Sequence, residues 1–61
     1  MANYCVDKSG EHEVHDLDSR CRLLPAPHHQ LFLGNHFTRR TALVEARQYF
    51  PQADGCALCV R

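Results

Sequence analysis

Apolar positions in this chain come in short bursts, and turn-forming residues close most of them. Asn3–Asp7 (NYCVD) is short and β-prone, and Lys8–Gly10 reads as a turn. Glu11–His15 supplies a second strand candidate, so the chain is expected to open with a hairpin. Leu23 and Leu24 are followed by Pro25-Ala26-Pro27, which must run extended because proline fixes φ and restricts the residue before it. His28–Gln30 continue that loop. Leu31–Leu33 form the core of a third strand, which Gly34-Asn35 is expected to end.

The one clear helix is predicted over residues 38–50. Thr38 is placed to cap the first free N–H groups. Ala42, Leu43, Ala46, Tyr49 and Phe50 recur at helical spacing, and Pro51 stops the run. Phe37, just before the cap, is positioned to fold back as a hydrophobic staple. Asp54-Gly55 then reads as a turn into Cys56-Ala57-Leu58-Cys59. The chain shows no repeat, low-complexity tract or linker. The pattern predicts an α+β fold: a small single domain over residues 1–61, with about three short antiparallel strands, one helix and a C-terminal Cys-x-x-Cys knuckle.

Length makes such a domain marginal. A chain of 61 residues hides only about 60% of the surface its unfolded form exposes. Ordering costs roughly 1.5 kcal/mol per residue, so area burial and entropy nearly cancel. Disulfides, a metal or a partner subunit usually make up the difference. The apolar fraction of 44% includes four cysteines, which shrinks the oily part of the core further.

The net charge is zero with histidines neutral. Acidic residues gather up to Asp18, whereas Arg20, Arg22, Arg39, Arg40 and Arg47 dominate the stretch that follows. The expected reading is a solvated surface with local charge bias. There is no sustained basic excess of the kind that phosphate-backbone binders show, so nucleic acid is an unfavoured partner. No secretory signal and no membrane span are visible. A cytoplasmic location is therefore expected, and there thiols stay reduced and clustered cysteines act as metal ligands or redox groups.

Cys56 and Cys59 stand at the spacing that lets two thiolates grip one tetrahedral metal ion. The same motif fits a dithiol redox pair or a disulfide. A thioredoxin-like pair wants a helix after the motif, and only two residues follow Cys59 here. Metal binding is the favoured reading. His15 and Cys21 bracket the acidic loop DLDSR, which can fold them toward one point. Together with Cys56 and Cys59 they make a Cys₃His set, a common structural zinc inventory. Cys5 is expected to pack as a small apolar residue. Cys5, or one of His28, His29 and His36, is the alternative fourth ligand.

His12-Glu13-Val14-His15 invites comparison with a metalloprotease helix, but H-E-x-x-H needs its histidines four apart. On a strand, His12 and His15 point to opposite faces. The zinc-deaminase pattern also fails, because Glu13 follows His12 directly and Gly55 precedes Cys56. No catalytic residue is assigned, and the chain is expected not to be an enzyme.

These residues carry a resemblance. Tyr4 and Val6, His12–His15, Cys21, Leu24-Pro25, Leu33-Gly34, Phe37, Ala42, Ala46 and Asp54–Cys59 resemble a family of small uncharacterised bacterial proteins. That family runs H-E-V-H, a cysteine, Leu-Pro, Leu-Gly, Phe and finally D-G-C-x-x-C. The resemblance implies an architecture and no reaction. More remotely, a His and a Cys followed by F-T-x-x-x-A and C-x-x-C are similar to the zinc-binding domain of the adaptive-response DNA methyltransferase. Small zinc modules appended to some bacterial nucleases look alike. That likeness implies Cys21, Cys56 and Cys59 as ligands, with His15 in the remaining place. This chain departs from it in the five residues between His15 and Cys21 and in Ala53-Asp54-Gly55 before the knuckle.

The expectation is a zinc-stabilised binding or interaction module with a protein partner not named by the sequence. A homodimer is possible across uncovered sheet edges. The alternatives are a thiol redox protein using Cys56 and Cys59, and a nucleic-acid-binding module using the helix arginines.

Overall fold

The computed structural model describes residues 1–60. Strands β1 (Ala2–Asp7), β2 (Glu13–Asp16), β3 (Gln30–His36) and β4 (Asp54–Gly55) form one sheet in the order β3-β1-β2-β4, with helix α1 (Arg39–Tyr49) between β3 and β4. β1 pairs antiparallel with both β2 and β3, as the pattern predicts for three strands. β4 adds a parallel edge to β2, and this makes the sheet mixed.

Strand alternation sorts the side chains of β1 and β2. Tyr4, Val6 and Val14 join Leu33, Ala42, Ala46, Ala53 and Val60 in one apolar core. Ala42 and Ala46 lie one helical turn apart and are fully buried, so their small side chains let α1 settle close on the sheet. Cys5 and His15 face each other across the β1–β2 ladder on the opposite side.

Four local expectations change. First, Glu11 and His12 belong to the turn, not to the second strand. His12 takes φ 57°, in the left-handed region, and its ring stacks on Phe50 with centroids 4.0 Å apart. Second, Gly34-Asn35 lies inside β3 instead of ending it. The ladder slips between Tyr4 and Cys5, where Leu33 is the extra residue, and Gly34 takes φ 85° at that bulge. Third, Asp54-Gly55 forms β4 where a turn was expected, because Asp54 N–H donates to His12 O and Cys56 N–H to Val14 O.

The fourth change is at the ends of the helix. Phe37 is 80% exposed and packs as no staple. Thr38 occupies the cap position without a side-chain capping bond, while the Thr41 hydroxyl donates to Thr38 O. His36 closes this corner instead. Its Nδ1 lies 2.9 Å from the Thr41 hydroxyl, and its Nε2 faces both Leu33 O and Glu45 Oε1. Tyr49 is more than half exposed and lies outside the core.

The segment after α1 is tied down tightly. Phe50 N–H donates to Ala46 O, Ala53 N–H to Phe50 O, and Arg47 Nε to Ala53 O. Gly55 then passes directly against the chain end. A Cβ built there would meet Val60 O at 2.6 Å and Val60 Cγ1 at 2.9 Å. Glycine is needed at 55 for close approach of two backbones. Gly55→Ala should therefore lower stability by about 1–3 kcal/mol, read as a lower thermal midpoint.

Candidate metal centre

Three separate stretches build one cluster. His15 comes from β2, Cys21 from the loop after it, and Cys56 and Cys59 from the knuckle after β4. One donor atom from each of the four lies within 4.8 Å of all the others. The sequence-predicted set is therefore brought together in full.

Each stretch is fixed by its own hydrogen bonds. After β2, Leu17 N–H donates to Asn3 O and Asn3 N–H to the Asp18 carboxylate, so the acidic loop is sewn to the start of β1. Asp16 accepts from Asp18 N–H on its side chain, and its carbonyl accepts from Ser19 N–H and Oγ. Arg20 takes φ 56°, the left-handed conformation that reverses the chain and returns Cys21 toward β2. On the other side, the Cys56 N–H to Val14 O bond continues the β2–β4 pairing, and Val60 N–H donates back to Cys56 O to close the knuckle.

Backbone N–H groups point at all three cluster sulfurs. Leu23 donates to Cys21 Sγ at 3.4 Å, Leu58 to Cys56 Sγ at 3.4 Å, and Asp16 to Cys59 Sγ at 3.3 Å. Two of these donors stand two residues after their cysteine, in Cys21-Arg22-Leu23 and Cys56-Ala57-Leu58. Such bonds stabilise thiolate over thiol. Sequence reasoning did not reach them, although a non-proline residue two after each cysteine is the signal that permits them.

Distances separate the possible chemistries. Cys21 Sγ and Cys56 Sγ are 3.8 Å apart, and Cys59 Sγ and His15 Nδ1 are 3.7 Å apart. A disulfide needs about 2.05 Å between sulfurs, and all four cysteines are free. A tetrahedron with metal–sulfur bonds of about 2.3 Å has sulfur–sulfur edges of about 3.8 Å. These two separations match such edges, and the cluster could hold a metal ion.

Protonation is graded across the site. Burial pushes the His15 imidazole below its ordinary value, with the Glu13 and Asp7 carboxylates pulling the other way. Burial also opposes ionisation of Cys56, but the Cys59 and Leu58 N–H groups and the neighbouring thiols outweigh it and draw this thiol down. For Cys59 burial wins, and with Cys21 and Cys56 beside it the thiol is pushed up to about 12. Of the Cys56–Cys59 pair, Cys56 is therefore the thiol that ionises first.

Glu13 is a site residue to which the sequence reading gave no role. It shares a strand face with His15, and its Oε1 lies 3.8 Å from His15 Nε2, leaving Nδ1 toward Cys59. A carboxylate behind a ligating imidazole holds the ring in place. The alternative ligands fall elsewhere. Cys5 is fully buried with its thiol pushed up to about 11, chiefly by burial, and it lies outside the cluster. His12 bonds Asp7 O through Nδ1. His28 and His29 lie on the short 3₁₀ turn Pro27–His29, their rings 4.2 Å apart, and His36 serves the helix corner.

Acid should release a metal bound at this cluster. The imidazole and three thiols must lose their protons to bind, so affinity falls as pH is lowered from about 8 to about 6. His15 adds to this loss in stability. Its folded pKa is depressed, so its contribution is present above its unfolded value and disappears as pH falls toward the folded one. Competition with a chromophoric chelator across that range measures the trend, and His15→Ala should flatten part of it.

No helix of the described residues is long and apolar enough to cross a membrane. Comparison of the chain with protein-family models, with curated proteins and with solved structures finds no match.

Proposed function

We propose that the chain is a small interaction module whose fold is closed by one structural zinc ion held by His15, Cys21, Cys56 and Cys59. The observation that carries this reading is the convergence of four donors from three chain segments within 4.8 Å. Three thiolates and an imidazole suit zinc, which is borderline soft and prefers tetrahedral sites. Four protein donors complete that tetrahedron and leave no position for a substrate or a reactive water, which supports a structural role over a catalytic one. A reducing compartment such as the cytosol would keep the three thiols available.

A redox reading has one observation in its favour. The opposed shifts of Cys56 and Cys59 resemble those of a nucleophilic and a resolving thiol. The third sulfur and the imidazole in the same cluster argue against it, because a dithiol pair has no use for them.

Protein purified under reducing conditions should contain about one zinc per chain and unfold when a strong chelator removes it. Cys21→Ser and Cys59→Ser should each lose zinc and native dispersion in NMR spectra, whereas Cys5→Ala should retain both. Stoichiometric metal absent from well-folded protein would refute the proposal. If Cys56 and Cys59 react with an alkylating agent while metal is bound, the redox reading replaces it.

A further inference from the structure

An open groove of about 960 Å³ runs between α1 and the knuckle. Arg39, Arg40 and Arg47 line it from the helix, and Leu43, Val44 and Leu58 supply apolar surface between them. Val44 and Leu58 are each about half exposed, at 54% and 45%. This is a cationic rim over an apolar floor, and the groove touches the metal cluster at Cys59 alone among its four donors.

The charges in the groove are unbalanced. Asp16 is the one acidic residue in its lining, and its carboxylate already accepts the Asp18 N–H. Arg47 is held in place through Ala53 O and sits 3.8 Å from Asp54. Arg39 and Arg40 make no ion pair with any described residue. They also occupy the first turn of α1, where a cation is least favourable beside the positive end of the helix dipole. Helix stability does not explain two arginines there, and their charge is left available to an anionic partner.

We infer that this groove binds an acidic peptide segment bearing apolar side chains, with carboxylates at the arginines and aliphatic groups on Leu43, Val44 and Leu58. This rests on the interaction-module reading and names the partner chemistry. A single-stranded nucleic acid fits less well. Base stacking needs exposed aromatic faces, and the one aromatic residue in the lining, Tyr4, is buried. The apolar floor matches aliphatic side chains of a peptide instead.

The test titrates the zinc-loaded full chain with a fluorescein-labelled peptide of glutamates carrying leucines at helical spacing. Binding is read by anisotropy and by amide NMR shifts. Saturable binding is expected, weakening as salt rises, with shifts centred on Arg40, Val44 and Leu58. Arg40→Glu should weaken it about tenfold, although a glutamate in the first helical turn favours the fold. Leu58→Ser should weaken it comparably while keeping the backbone N–H that serves Cys56. A lysine peptide with the same leucines should not bind.

Zinc content is measured on every sample, which separates the two readings. Zinc retained with peptide binding lost in the variants locates the effect in the groove. Zinc missing from the unsubstituted chain defeats the structural-zinc reading, while the titration still decides the groove. The inference is overturned by absence of saturable peptide binding, by shifts that avoid the groove, by tighter binding of an oligothymidylate, or by self-association that fills the groove with a second copy.

Discussion

A parallel pair of strands cannot be joined by a tight turn, and in this chain the parallel pair is β2 with β4. Everything between them must travel out and return: the acidic loop, the proline passage, β3 and α1. The return is fixed by two backbone bonds, Asp54 N–H to His12 O and Cys56 N–H to Val14 O. Those bonds deliver the knuckle beside His15. Two strand residues are too few to close such a long excursion alone. A cation held by the adjoining donors would act where closure is most costly, since it removes freedom from the longest loop in the fold.

The core and the cluster divide the work. Buried apolar residues fill the helix side of the sheet, with two alanines where α1 approaches most closely. On the opposite side the ladder places His15, a residue that would be costly to bury without partners. Glu13 Oε1 and Cys59 Sγ face its two ring nitrogens at 3.8 and 3.7 Å. Among the described residues no buried side-chain nitrogen or oxygen lacks a hydrogen-bond partner. The polar half of this small interior is thus complete in its hydrogen bonding, while its sulfurs are arranged to share a positive charge.

Much of this was legible in residue order. The β1–β2 hairpin, a strand around Leu31–Leu33, the helix and the four cluster residues follow from alternation, helical spacing and ligand type. What escaped was set by contacts distant in sequence. Gly34 has the local signature of a turn, yet a bulge inside β3 uses the same backbone freedom. Asp54-Gly55 has the composition of a turn too, and only the open edge of β2 makes it a strand. Phe37 and Thr38 follow capping rules that the His36–Thr41 contact supersedes. The groove was invisible because it joins a helix face to a knuckle that becomes its neighbour only after folding.

Cys5 gives the molecule an internal clock. Its thiol is wholly enclosed, kept protonated by burial, and placed directly across the ladder from His15. It can react only when β1 separates from its neighbours, which is a global opening of the sheet. In the cluster, Cys21 and Cys59 are partly exposed, and a cation held there would shield them from reagents until it left. One chain therefore carries two thiol populations that report on different events. Their relative rates would distinguish a chain whose cluster opens while the sheet stays folded from one that unravels in the same step.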